Sequence, residues 1–209
     1  MTDVLVPVPR WERWVANFAA RHGETVLRVA DGALDGAAAD GSRFTARLPF
    51  DASYAGEPQA AAFATAAEEV VPGDWGVLLV RKGGFAIARL TGPTMVQHKI
   101  GQRHVQGRSK AGGQSQQRFA RRRENQAQQA YDAAGEHALR LLGTSAVAKR
   151  DLPVVVGGDR TAVETVLGDP RLAHLSPKGP WLPVPEPRRQ VLDRAIDEGL
   201  AIRIAVDNR

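Results

Sequence analysis

The sequence predicts a mixed α/β fold: a β-sheet flanked by helices, with a glycine-rich basic loop leading into one long helix. Three observations carry that expectation. WGVLLV over 75–80 and the apolar run over 85–90 are separated by Arg81-Lys82-Gly83-Gly84, the pattern of a β-hairpin. Between 115 and 142 the only helix breaker is Gly135, which costs about 1 kcal/mol relative to alanine. LPVVV over 152–156 is an apolar run bounded by proline and by Gly157-Gly158, the mark of a buried strand. A chain of 209 residues with 43 % apolar side chains has enough material to bury a core.

The elements follow in chain order. Trp11, Trp14, Val15, Phe18 and Ala19 recur at helical spacing and Pro9 suits a first turn, so 9–22 reads as a short amphipathic helix ended by Gly23. The runs 25–30 and 42–49 read as strands joined through the turn-rich DGALDGAAADG. Alanine-rich 57–69 is helical, and Val70-Val71-Pro72-Gly73-Asp74 is a break. Residues 1–72 are thus expected to form an accessory helix and hairpin unit, and 73–209 a second unit. In the second, a third strand over 94–100 runs into 101–114, a stretch of Gly, Arg, Ser and Gln without hydrophobic periodicity that reads as an exposed loop.

The helix over 115–142 would span about 40 Å. Its distal half carries a stripe of Ala127, Tyr131, Ala134, Ala138, Leu141 and Leu142 suited to docking on a sheet; its proximal half has only Phe119 and Ala120 among four arginines and is expected to project. Asp159 or Thr161 caps a short helix to Leu167. A proline-rich crossing from Pro177 to Pro187 leads to a helix over 188–198 and a closing strand over 201–206.

Charge is unevenly placed. The eight basic residues Lys99, Arg103, Arg108, Lys110, Arg118, Arg121, Arg122 and Arg123 lie in a stretch with no acidic residue. Without them, 20 basic face 23 acidic residues, a body of net charge −3. A mildly acidic body with one concentrated cationic segment is the footprint of a phosphate-rich partner. Cysteine is absent, which excludes a disulfide scaffold, a thiolate metal site and a cysteine nucleophile. No basic and apolar leader pattern opens the chain, and no apolar stretch approaches 18 residues, so a soluble cytoplasmic protein without membrane contact is expected.

Familiar catalytic arrangements are missing. The five histidines, His22, His98, His104, His137 and His174, show no metal-ligand spacing, and there is no nucleophile elbow or Walker A loop. VVVGGD over 154–159 has the outline of a phosphate-binding turn without its lysine ending, and reads as a structural turn. What remains is Gly112-Gly113-Gln114 inside the cationic loop. Paired glycines remove both Cβ atoms and let the backbone approach another surface closely. A plain flexible connection is the competing reading of three such residues.

The context weighs against that alternative. GGQSQQRFARRR over 112–123 closely resembles the GGQ loop and following helix of the central domain of eukaryotic and archaeal class-1 peptide-release factors, through Gly112, Gly113, Gln114, Ser115, Arg118, Phe119, Ala120, Arg121 and Arg123. The hairpin, the His98-Lys99 strand and the strand over 152–156 extend the likeness across 73–209, and imply an RNase H-like catalytic domain. The stop-codon motifs of that family are missing, as is room for its third domain. A free-standing GGQ domain is similar to the Vms-like release factors, the peptidyl-tRNA hydrolases of ribosome quality control. Ala111 stands where that family has a basic or glycine residue.

The resemblance implies hydrolysis of the ester between a nascent chain and tRNA at the peptidyl-transferase centre of the large subunit. Gln114 would position the water and stabilise the developing oxyanion, while Gly112 and Gly113 let the loop enter a narrow site. Arg103, Arg108, Lys110, Arg118, Arg121, Arg122 and Arg123 would contact RNA phosphates, and Lys99 either joins them or is solvated. Phe119 reads as a packing anchor. No cofactor, metal or DNA partner is implied. Two alternatives stay open: a nuclease cutting the tRNA 3′ end, and a non-catalytic ribosome- or tRNA-binding factor.

Overall fold

The computed structural model describes residues 2–102, 114–143 and 151–209, with the side chains of 114–126 excepted. The described chain is mixed α/β and divides into two compact units, Met1–Pro72 with Ile196–Arg209, and Gly73–Ala195.

The first unit is a five-stranded antiparallel sheet. Its strands are β1 (Thr2–Val6), β2 (Thr25–Ala30), β3 (Ala33–Ala38), β4 (Arg43–Arg47) and β10 (Ile202–Asp207), in the order β1-β10-β4-β3-β2. Alternation decides its faces. Val6, Leu34, Phe44, Ala46, Ile202, Ile204 and Val206 are buried in one cluster with Trp11 and Phe18 of helix α1 (Trp11–His22) and Phe63 of helix α2 (Ala60–Glu69). The indole N–H of fully buried Trp11 donates to the Ala60 carbonyl at 2.9 Å, joining the two helices. Trp14 stacks on Trp11 at 5.8 Å and meets Phe44 edge-on at 5.1 Å, so both tryptophans serve the core.

Two expectations are corrected here. The segment read as a turn-rich connector contains β3: Asp31 and Gly32 turn, with φ of 49° and 70°, Ala33–Ala38 runs back along β2, and a second turn over 39–41 leads to β4. Its Ala, Asp and Gly composition is poor in strand formers, and cross-strand packing overrides that weak preference. Gly36 lies opposite Phe44, whose ring occupies the space a Cβ would need, with Cδ1 only 2.7 Å from that position. The closing strand belongs to this sheet instead of the second, between β1 and β4. Its alternating Ile202, Ile204 and Val206 suit a sheet buried on one face, whereas the second sheet takes continuous apolar runs. β1 was not anticipated.

The second unit is a mixed sheet of β5 (Asp74–Arg81), β6 (Gly84–Thr91), β7 (Thr94–Gln102), β8 (Leu152–Gly158) and a short β9 (Leu175–Pro177), ordered β7-β6-β5-β8-β9. β5, β8 and β9 are parallel, and β6 and β7 are antiparallel to their neighbours. Helix α3 (Gln114–Leu142) and helix α4 (Arg160–Leu167) supply the crossovers into β8 and β9. Along α3 the buried apolar side chains are Ala130, Ala134, Ala138 and Leu142, every fourth residue, the last three in one cluster with Leu78, Phe85, Ile87, Val154 and Val156. Three alanines in that stripe let the helix lie close to the sheet. Tyr131 and Leu141, expected in the stripe, sit at its margins half-buried. Helix α5 (Arg189–Gly199) follows the proline-rich crossing.

Candidate functional site

The sequence-predicted site residues fall in three places. Gly112, Gly113, Arg103, Arg108 and Lys110 lie outside the described residues, as does the expected exposed loop. Gln114 is the first residue of α3, and Arg118, Arg121, Arg122 and Arg123 lie in its first three turns, where the backbone alone is described. Lys99 is exposed on β7, opposite Ile87.

The two elements that enter and leave the 103–113 segment are therefore β7 and α3, and the described residues show how they are held. β7 is an edge strand with most of its side chains exposed. Its last turns press on β6: Gly101 pairs with Phe85, and the Phe85 ring fills the space of an absent Gly101 Cβ, with Cζ 2.5 Å from that position. On its other side the Phe85 ring meets the His137 imidazole of α3 at 5.3 Å between centroids. Burial holds His137 below its ordinary histidine range, helped by the positive charges of Arg140 and Lys99. The seam between β7 and α3 thus carries cationic groups around a neutral imidazole. His98 faces away from them and receives Arg189 of α5 at 3.2 Å.

Farther up α3, burial and the charge of Asp159 push the Tyr131 hydroxyl above the usual tyrosine range. Asp159 marks the upper end of the parallel strands, because its amide donates to the Val80 carbonyl at 2.9 Å. Tyr131 therefore lies near the level where β5 and β8 end. Counting back from it, Gln114 stands about 25 Å along the helix axis. The lower half of α3 is tied down by Arg171, whose guanidinium binds Glu136 at 2.8 Å and Asp169 at 2.7 Å.

Asp159 departs from its expected role. It occupies the position before α4, yet its side chain caps nothing there. Instead its carboxylate accepts from the Lys82 amide at 3.2 Å and approaches Arg81 at 3.5 Å, fixing the β5–β6 turn. The glycines of VVVGGD are explained by packing. Gly158, at φ 103°, lies where a Cβ would strike the Val80 carbonyl, and a Cβ on Gly157 would lie 2.6 Å from the Leu182 carbonyl. Among the described residues no three His, Asp or Glu gather as a metal site, and no helix is long and apolar enough to cross a membrane.

Phe85 and His137 escape a reading by motif, because neither belongs to one. The signal that finds them is register: pairing Phe85 with Gly101 requires following the β6–β7 hairpin through an irregularity at Arg89/Leu90.

No curated protein matches the chain. Residues 73–205, which run from the start of β5 into β10, match the family described as Actinobacteria/chloroflexi VLRF1 release factor. That span contains the GGQ tripeptide, the cationic segment and all of α3. It leaves out residues 1–72, and so the helices α1 and α2 that pack on the first sheet. The match supports the Vms-like resemblance and leaves the closer likeness to eukaryotic and archaeal factors as a sequence observation. On this evidence the chain belongs to the Actinobacteria/chloroflexi VLRF1 release factor family.

Proposed function

We propose that the chain is a ribosome-dependent peptidyl-tRNA hydrolase that frees nascent chains from stalled ribosomes or large subunits. One observation carries the reading. Gly112-Gly113-Gln114 lies within the span matched to release factors and ends at the first residue of a long helix whose far half is docked on the sheet. Such a rod delivers a slim tip to a distant, narrow centre. Water oriented by Gln114 attacks the ester carbonyl carbon and the bond to the 3′-oxygen of the terminal adenosine breaks. The peptide leaves with a new carboxyl group, and the tRNA regains its 3′-hydroxyl. A neutral amide is a poor base, so Gln114 acts by orientation and by donating to the developing oxyanion.

Helical phase supports the division of labour. A step of about 100° per residue groups positions 114, 118, 121 and 122 on one side of α3, opposite the docked positions 130, 134 and 138. Position 123 falls on the docked side. Arg118, Arg121 and Arg122 are then the helix residues best placed to meet RNA phosphates together with Gln114.

The test is release of labelled peptide from peptidyl-tRNA held on purified large subunits, with the freed tRNA sized. Gln114→Ala should lower the rate by about 100-fold or more, the scale of losing one preorganised oxyanion donor. Unchanged release would replace this reading with a non-catalytic binding factor, and a shortened tRNA with a 3′-end nuclease.

A further inference from the structure

We infer that Phe85 is a positioning residue for the release reaction, a wedge between the two elements that carry the GGQ segment; the inference rests on the function proposed above. One edge of its ring occupies the Cβ space of Gly101, the next-to-last residue of β7. The ring also meets His137 of α3 at 5.3 Å, and it is almost wholly buried. The alanines at 130, 134 and 138 bring the helix close to the sheet but are too short to set its tilt. At the β6–β7 side the Phe85 ring, between Gly101 and His137, is a spacer that those alanines do not supply.

A helix magnifies any error at its root. From His137 to Gln114 the axis runs about 35 Å, so a tilt of about 5° displaces position 114 by about 3 Å. Attack on an ester tolerates far less, since misplacements near 1 Å already cost about 100-fold. The glycine at 101 is what lets a ring of this size lie against the strand where it also meets His137 of the helix. An alanine there must push the ring toward His137 or push the end of β7 outward, and either motion reaches the reacting groups.

The experiment compares the wild type with Gly101→Ala, Gly101→Ala/Phe85→Leu and Gln114→Ala, all as full chains. It measures release from labelled peptidyl-tRNA on purified large subunits over a range of factor concentrations, with binding by co-sedimentation and a thermal melt of each variant. Gly101→Ala is expected to lower the maximal release rate at least about tenfold, with half-saturation and binding within about twofold of wild type. The smaller leucine makes room for the new methyl and should restore the double variant to within about threefold. A wild-type rate for Gly101→Ala overturns the inference, as does a double variant no faster than the single one. A rate loss that only tracks the fraction of unfolded protein overturns it too. In each of those cases Gln114→Ala stays inactive, so the proposed hydrolysis survives. Full release by Gln114→Ala instead defeats the hydrolytic reading, and this inference with it.

Discussion

Replacing Ile204 by alanine tests the assignment of β10 to the first sheet. Ile204 is fully buried, with Val4 of β1 on one side and Ala46 of β4 on the other, in the cluster that holds Trp11, Phe44 and Phe63. The substitution removes three carbons, worth about 2.4 kcal/mol at about 0.8 kcal/mol each. A central strand held on both sides collapses poorly, and a residual void of about 40 Å³ adds about 1 kcal/mol. The total is about 3.4 kcal/mol. For a unit of this size that lowers the melting midpoint by about 15–25 °C. Hydrogen exchange read by mass spectrometry locates the loss: amides of β1, β3 and β4 should lose protection, while those of β5 and β8 keep theirs. A midpoint change under about 5 °C, or a loss centred on β5 and β8, would refute the reasoning.

Other expectations are more local. Arg121→Ala and Arg122→Ala should each weaken association with large subunits and lower the slope of log affinity against log salt by about one, measured by sedimentation at several salt concentrations. Burial, Arg140 and Lys99 hold folded His137 below its ordinary value, so as pH falls through about 6.5 the unfolded chain takes up the proton first. Stability from this group is therefore complete above that value and declines below it; urea titrations from about pH 7.5 to 5 should show His137→Gln losing part of the decline. Gly36→Ala drives a methyl into the Phe44 ring and should cost about 1–3 kcal/mol in urea unfolding, with the loss reduced in a Phe44→Leu background.

Legibility from sequence followed locality. The β5–β6 hairpin and α1 show in the chain because a turn or a 3.6-residue period lies within a few residues of what it specifies. The length of α3 shows for another reason, a long stretch almost free of helix breakers. β3 does not show, since ALDGAA becomes a strand only when Phe44 covers Gly36 from the next strand. β9 has three residues and no period to read. β10 was recognisable as a strand, but its partners β1 and β4 lie more than 150 residues earlier, and nothing local names them. The candidate site divides in the same way. Gln114 and the arginines stand in one contiguous motif, while the Phe85, Gly101 and His137 seam exists only through register and helix packing.

The position of β10 also sets an order of events during synthesis. The strands β1 to β4 are made first, yet their sheet lacks its second strand until the whole of the second unit has been translated. During that interval β4 offers a bare edge of amides and carbonyls, the form of surface that recruits foreign strands. Its sequence, RFTAR, places an arginine at each end of that edge. Charged residues flanking an unavoidable apolar strand act as gatekeepers against aggregation. Arg43 and Arg47 thus guard a newborn chain until Arg203 and its neighbours arrive to complete the pairing.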